Sequence, residues 1–464
     1  MKFGGTLIDS EDKIKNAIQI IKNHKKKFFN NELVIIVSAV NPVTDILLDA
    51  CNAIKKKDKV YVKKAVNDIN SIHTSLLDKI ISKTDLKKQA RKTIKCLIKE
   101  LEMIMEGAVF LGEVTPKLQD YIASFGERLS IVLITFALRD IGIKSEYLTG
   151  KEVGILTDSN FSEARPLMDT TKLRVLHKIE PLFKEKIVPI VAGFIASDQN
   201  GNTTTLGRGG SDYSATIIAA SINAIEVWLW NEFDGMMTAD PRIVGKPKVL
   251  AELSFSEAVE MSMFGLKYMH PRALEPVIDS RTAVIIKNAY NQKNKGTKII
   301  QNPSRESEKT VKSITSIRNT ALIDVSGWGM IGAPGTAAKI FDSLAKNKVN
   351  IMMISQSPSE SSISMVVRQN DLDKAITTLE LNFLGRLIKQ INVNDNVSVI
   401  AVVGSGMRGI KGVAAKIFTS IAKKNINVIM ITQGSSELNL AFIVNDENCE
   451  AAVRILHEDF GLAK

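Results

Sequence analysis

The chain has 464 residues, a net charge of +11, and 45% hydrophobic and 24% charged residues. That size builds about two to four domains with proper cores, and the composition is that of an ordinary globular protein. The basic runs Lys25–Lys27 and Lys55–Lys57 are scattered and have few interleaved aromatics, which argues against a nucleic-acid footprint and leaves anionic small substrates open.

Taken in order, the chain enters directly on "KFGGT" (Lys2–Thr6), with no leader sequence expected. A strand stub gives way there to a glycine turn. Its backbone N–H groups suit a phosphate and Lys2 adds a point charge, but for an isolated Gly-Gly a plain tight turn is the stronger reading. Ile14, Ala17, Ile18 and Ile21 follow with helical spacing, capped by Ser10 with Glu11 and Asp12 in the first turn. "ELVIIVSA" (Glu32–Ala39) reads as a buried strand, and residues 58–111 as mainly helical. No run of about 18 apolar residues predicts a membrane span. "SFGERLS" (Ser124–Ser130) puts Glu127 and Arg128 on a helix.

"IVPIVAGFIA" (Ile187–Ala196) is a strand, and Asn200-Gly201 marks a hairpin. "TTTLGRGGSDYSA" (Thr203–Ala215) is the most informative loop. Gly207, Gly209 and Gly210 allow unusual backbone angles, Ser211 and Asp212 read as caps of the next helix, and the Arg208 fork matches a carboxylate or a phosphate. Then come the strand "AIEVWLW" (Ala224–Trp230), the turn "DGMMTADPR" (Asp234–Arg242), and "FGLKYMHPR" (Phe264–Arg272) with Lys267 and His270. His270 has no partner at ligand spacing and reads as a packing or capping residue. The strand "AVIIK" (Ala283–Lys287) closes the region. This alternation predicts a largely parallel sheet between helix layers, with its site at the carboxyl ends of the strands.

Residues 291–312 are polar and mark a domain edge. A repeat follows: "GMIGAPGTAAKIF" (Gly329–Phe341) matches "GMRGIKGVAAKIF" (Gly406–Phe418), and "NIMMISQSPSE" (Asn350–Glu360) matches "NVIMITQGSSE" (Asn427–Glu437). Both pairs are 77 positions apart (406 − 329 and 433 − 356). Each copy predicts a ferredoxin-like βαββαβ module. The second copy stops before its last strand, so the copies are expected to complete one another's sheets or to interleave. Cys51, Cys96 and Cys449 are widely spaced, which suits a reducing cytoplasm and makes no metal site.

Together "KFGGT", "VSAVNPVTD" (Val37–Asp45), "SFGERLS", "TTLGRGGSDYSA", "DGMMTADPR", "FGLKYMHPR" and the repeat resemble the aspartate kinase family over nearly the whole chain. The resemblance implies an α/β fold: an amino-acid-kinase αβα sandwich with a mostly parallel sheet (1–303), then two ACT modules (313–393 and 394–464). It implies ATP as co-substrate, Mg²⁺, and transfer of the γ-phosphoryl group to the side-chain carboxylate of L-aspartate. It places Lys2 and Lys267 as catalytic residues. The nucleotide falls to Lys2, Phe3, Gly4, Gly5, Trp230, Asn231, Glu232, Met237, Arg242 and Lys267. On the amino-acid side it implies Ser38, Thr44, Glu127, Arg208, Gly209, Ser211 and Asp212, with Glu127 on the α-ammonium and Arg208 and Ser211 on the α-carboxylate.

In the modules, Gly332, Ala333, Pro334, Gly335, Gln356, Ser362, Gln433 and Asn439 are the implied effector contacts, for threonine or lysine. A homodimer or dimer of dimers through the modules is expected, without nucleic acid or membrane, and without a fused homoserine dehydrogenase domain. Departures from the family pattern are Leu7, Asn231, Glu232, Met237 and the short first strand. The alternative is a regulatory paralogue that binds amino acids through its modules and transfers little phosphate.

Overall fold

Among the described residues, ten strands and the helices between them belong to the first of two units, Met1–Gly235 with Ala251–Phe255 and Tyr268–Asn302. The second comprises Met236–Leu250, Ser256–Lys267 and Pro303–Lys464. The structure is a computed structural model and describes residues 1–28, 32–264, 269–280, 282–304 and 309–463. Lys267 lies outside the described residues.

The first unit holds β1 (Lys2–Phe3), β2 (Ile35–Val37), β3 (Ser145–Leu148), β4 (Val188–Ala192), β5 (Ile195–Ser197), β6 (Thr203–Thr205), β7 (Glu226–Asn231), β8 (Glu252–Ser254), β9 (Ala283–Asn288) and β10 (Thr297–Ile300). Eight of them form one sheet in the order β3-β4-β2-β1-β7-β9-β10-β8. It is parallel throughout except where β10 meets β9. β5 and β6 form the expected hairpin, with Gly201 in the left-handed region at φ 77°. β1 is only two residues long, yet it sits at mid-sheet between β2 and β7.

The strands are short and apolar because both faces are covered. Ile35, Val37, Ile190 and Ala192 share a core with Leu129, Leu133 and Leu138 of the helix Phe125–Asp140. The helices Lys59–Ile80 and Thr84–Leu111 extend that core with Val62, Ile69, Leu101 and Met105. The run Pro116–Asp140 matches a membrane span in length and composition, but it is two successive helices largely buried in this layer.

The second unit carries β11 (Ser313–Ser326), β12 (Ile351–Gln356), β13 (Ser362–Arg368), β14 (Gln390–Val403), β15 (Met430–Thr432) and β16 (Asn439–Asn445) in one antiparallel sheet, ordered β12-β13-β11-β14-β16-β15. The two halves of β11 serve different copies. Thr320–Ser326 pairs with β13, while Ser313–Ile317 pairs with Val399–Val403 of β14. Likewise the first half of β14 is the last strand of copy one, and its second half pairs with β16 as the first strand of copy two. The strand missing from the second copy is thus supplied by β11, so the copies complete one another within a single sheet.

The segments 236–250 and 256–267 add to the second copy. Ala239 and Ile243 join its core beside Ile417, Phe442 and Leu456. Glu257, fully buried, takes Lys312 Nζ at 2.7 Å and the Ser405 amide and hydroxyl at 2.9 and 2.6 Å.

Candidate active site

The site lies at the carboxyl ends of β1 and β2. Ser38 N–H donates to Phe3 C=O, so the chain leaving β2 turns alongside the glycine turn Gly4–Gly5. Glycine is required at position 5, where a Cβ would sit 2.5 Å from the Ala39 carbonyl oxygen. Gly126 is equally constrained, since a Cβ there would meet Ala39 Cβ at 2.7 Å. These contacts seat the first turn of the helix Phe125–Asp140, and with it Glu127, against the end of β2.

A cavity of about 480 Å³ opens between these turns and the loop after β6. Lys2, Gly4, Gly5, Ser38, Thr44, Glu127, Arg208, Gly209, Ser211, Asp212 and Asn231 all line it, so the structure brings together most of the candidates. Lys2 Nζ is 2.7 Å from Asp212 Oδ1, and both side chains are mostly buried. Glu127 is 3% exposed, and among the described residues nothing hydrogen-bonds its Oε2. Burial pushes its carboxyl up to about 8, against opposing hydrogen bonds from the backbone of Ala39 and of Glu127 itself. Arg208 is exposed and lines the same cavity. Among the described residues, the pocket therefore offers a buried acid with no cation, an exposed arginine with no ion pair, and a lysine paired with Asp212.

The loop's helix begins differently from expectation. Gly209, at φ 71°, is the N-cap of the helix Gly210–Ser221, and it makes no side-chain cap bond. Ser211 and Asp212 are in the first turn instead, which corrects their reading as caps. A Cβ on Gly209 would lie 2.4 Å from His270 Cβ, so the glycine also admits the neighbouring chain. His270 is a capping residue: its Nδ1 accepts from Arg272 N–H at 3.3 Å at the start of the 3-10 turn Pro271–Val277.

Other candidates lie elsewhere. Phe3 and Trp230 stack with centroids 6.2 Å apart and are buried in the core, so neither ring is available to a nucleotide. Glu232 is exposed, 3.6 Å from Lys13. Met237 and Arg242 belong to the second unit, where Met237 bridges Val249 and Arg242 is turned onto Asp240 at 2.6 Å.

In the modules, Gly332 and Gly335 take positive φ, as do Gly409 and Gly412 in the matching places. The turn N–H groups are not all open to a ligand. Glu360 accepts from Gly332 N–H at 3.0 Å, and Glu437 from Gly409 N–H at 2.6 Å. Ala333 and Pro334 complete the first turn, Gln356 ends β12, Ser362 opens β13 and Gln433 follows β15. Asn439, which opens β16, donates its Nδ2 hydrogen to Glu260 Oε2.

Sequence reasoning missed Asp120 and Arg272. Asp120 is 2% exposed and accepts from Ser162 and Thr205. Arg272 holds the Ala164 and Leu206 carbonyls and lies over the Tyr213 ring at 4.9 Å. Asp120 carries a faint signal, an acid inside an apolar helical run; Arg272 carries none.

The amino acid kinase family model matches residues 1–288, and the ACT domain model matches 323–383 and 400–460. Fold and pocket thus define an amino acid kinase domain followed by paired ACT domains. The chain belongs to the aspartokinase family. It is 30% identical to aspartokinase 2, chloroplastic, of Arabidopsis thaliana, over 99% of this chain and 84% of that protein. It is 32% identical to bifunctional aspartokinase/homoserine dehydrogenase 1, chloroplastic, of Zea mays, over the whole of this chain and 50% of that protein. The chain spans about half the length of the bifunctional plant relatives it matches. Among solved structures, E. coli aspartokinase III in complex with aspartate and ADP (R-state) superposes with a TM-score of 0.82 at 26% identity, covering 99% of this chain and 98% of that one. The Clostridium acetobutylicum aspartate kinase gives a TM-score of 0.77 at 27% identity, covering 99% of each chain.

Proposed function

We propose that this protein is an ATP-dependent aspartate kinase, transferring the γ-phosphoryl group of ATP to the β-carboxylate of L-aspartate to give 4-phospho-L-aspartate, at the head of lysine, threonine and methionine biosynthesis. The observation that carries this reading is Glu127: a buried carboxyl that, among the described residues, has no cation, lining a pocket that also holds Arg208 and Lys2. An α-amino acid supplies both missing partners, its ammonium to Glu127 and its α-carboxylate to Arg208 and Ser211. The side-chain carboxylate is then left for chemistry.

That carboxylate is already ionised at neutral pH, so the reaction needs no general base. The work is to bring two anions together and to stabilise charge on the transferring group. Lys2, fixed by Asp212 at the end of a central strand, is placed for that task. Gly4 and Gly5 let backbone approach the phosphates, and Asn231 lines the same side. Mg²⁺ would enter with the nucleotide. Among the described residues no group of three metal-ligating side chains occurs, and an ion that keeps waters and binds through phosphates with one or two carboxylates suits Asp212 and Asp45. It would supply charge neutralisation on the phosphates.

The boundaries 1–303, 313–393 and 394–464 are retained for this reading. The paired modules are assigned feedback inhibition by threonine or lysine, and dimer formation. One of the similar structures, E. coli aspartokinase III, is described in complex with lysine and aspartate (T-state), which supports an amino-acid effector here.

Incubation with ATP, Mg²⁺, aspartate and hydroxylamine tests the reaction, because hydroxylamine traps an acyl phosphate. Aspartate-dependent hydroxamate is expected. Its absence, with amino acids still binding the modules, would establish the regulatory paralogue instead. Adding threonine and lysine, separately and together, tests the regulation.

A further inference from the structure

A buried acid outside the pocket connects its two amino-acid-binding ends. Asp120 lies in the helix Pro116–Ala123. Its Oδ2 accepts from Ser162 N–H at 2.9 Å and Thr205 N–H at 2.8 Å, and its Oδ1 accepts from the Thr205 hydroxyl at 2.9 Å. Thr205 is the last residue of β6, three positions before Arg208. Ser162 sits in the left-handed region at φ 74°, and its carbonyl would lie 3.2 Å from a Cβ on Gly207. One carboxylate therefore ties down both stretches of backbone that support the arginine loop.

The other end of the connection is Glu127. Ser124 separates the two helices but keeps helical angles, φ −60° and ψ −22°, so the helical path continues from Asp120 to Glu127. Seven residues are two turns, which returns both acids to one face, about 10 Å apart along the axis. One rod thus presents Glu127 to the pocket and, two turns earlier, grips the strand that delivers Arg208.

We infer that Asp120 is a positioning residue for the amino-acid substrate, setting the spacing between the acid that takes the ammonium and the arginine that takes the α-carboxylate. This rests on the aspartate-kinase reading. It does not follow from burial alone: three donors converge on Asp120, and two of them belong to the residue that ends β6. A carboxylate accepts from all three, whereas an amide must turn an NH₂ toward one of them.

The test is kinetic, on the full chain. Thr205→Val removes only the hydroxyl donor, and Asp120→Asn keeps one acceptor oxygen but sets an NH₂ against one of the three donors. The KM for aspartate should rise about threefold in the first and about tenfold in the second, with the KM for ATP, kcat at saturating aspartate and the melting temperature of Thr205→Val little changed. Because Asp120 acts through Arg208, Asp120→Asn should add little to the aspartate KM of Arg208→Lys. Parallel losses in both KM values and kcat, or additive effects with Arg208→Lys, would overturn the assignment and leave Asp120 a fold residue. Failure of the parent reading is separate, since the wild-type chain would then form no aspartate-dependent hydroxamate.

Discussion

Glu127 shows how much one buried side chain can decide. Its proton is held up to about pH 8 in the fold, against 4.5 for an ordinary glutamate. Between those values the unfolded chain binds fewer protons than the native one, so this group's contribution to stability falls as pH rises from 4.5 to 8 and is level above. Urea unfolding of the ligand-free protein should show that slope, and Glu127→Gln should lack it. An ammonium calls for the ionised acid, so aspartate binding should release a proton at neutral pH and tighten towards pH 8. Calorimetry in buffers of different ionisation enthalpy measures that proton. Glu127→Gln should raise the KM for aspartate ~10- to 100-fold and leave that for ATP near its parent value. Lys2→Ala should instead lose turnover with little change in calorimetric aspartate binding, because a cation that acts on developing charge is felt in kcat; preserved turnover would remove Lys2 from the mechanism.

At the scale of elements, packing of backbone against backbone holds the site. The end of β2, the turn after β1 and the helix carrying Glu127 meet at Ala39, where Gly5 and Gly126 leave no room for a methyl group. Gly126→Ala should cost about 2 kcal/mol in chemical denaturation and weaken aspartate binding by displacing Glu127. Much of this level was legible beforehand. Apolar runs gave β2, β4, β7 and β9, Asn-Gly gave the hairpin, and matched glycines gave the repeat. What was not legible depends on partners distant in sequence. Asp212 looks like a cap until Lys2 stands beside it, and Asn439 looks free until Glu260 reaches it. Phe3 precedes the phosphate turn and Trp230 pairs with Phe3 across β1 and β7, but strand alternation sends both rings into the core. The excursions 236–250 and 256–267 had no compositional signal at all, because they join the second unit through side chains such as Glu257. Lys312→Met removes the cation paired with that buried acid and should cost about 3 kcal/mol in urea unfolding of the chain; an unchanged midpoint would mean that the ion pair is dispensable to the fold.

For the whole molecule, the two repeats are not independent, because they share one sheet. β11 and β14 each lend half their length to the other copy. A fragment of residues 394–464 lacks the strand that β11 gives it and should be largely unfolded by circular dichroism, whereas 309–464 should fold. A folded shorter fragment would show that the second copy is self-sufficient.

The shared strands also decide how the repeats can have diverged. Duplicated modules on a flexible tether can be lost, swapped or multiplied one at a time. Here deleting either copy takes strand from the survivor's sheet and uncovers unpaired backbone, so loss of one copy alone would destabilise the other. Each copy is free to change its turns and surface, where Gly332–Gly335 has become Gly409–Gly412 with different residues between the glycines, while its strands stay bound to a partner's register. Specialisation of one copy for a ligand and of the other for scaffolding is the kind of history such an arrangement permits; separation is the kind it forbids.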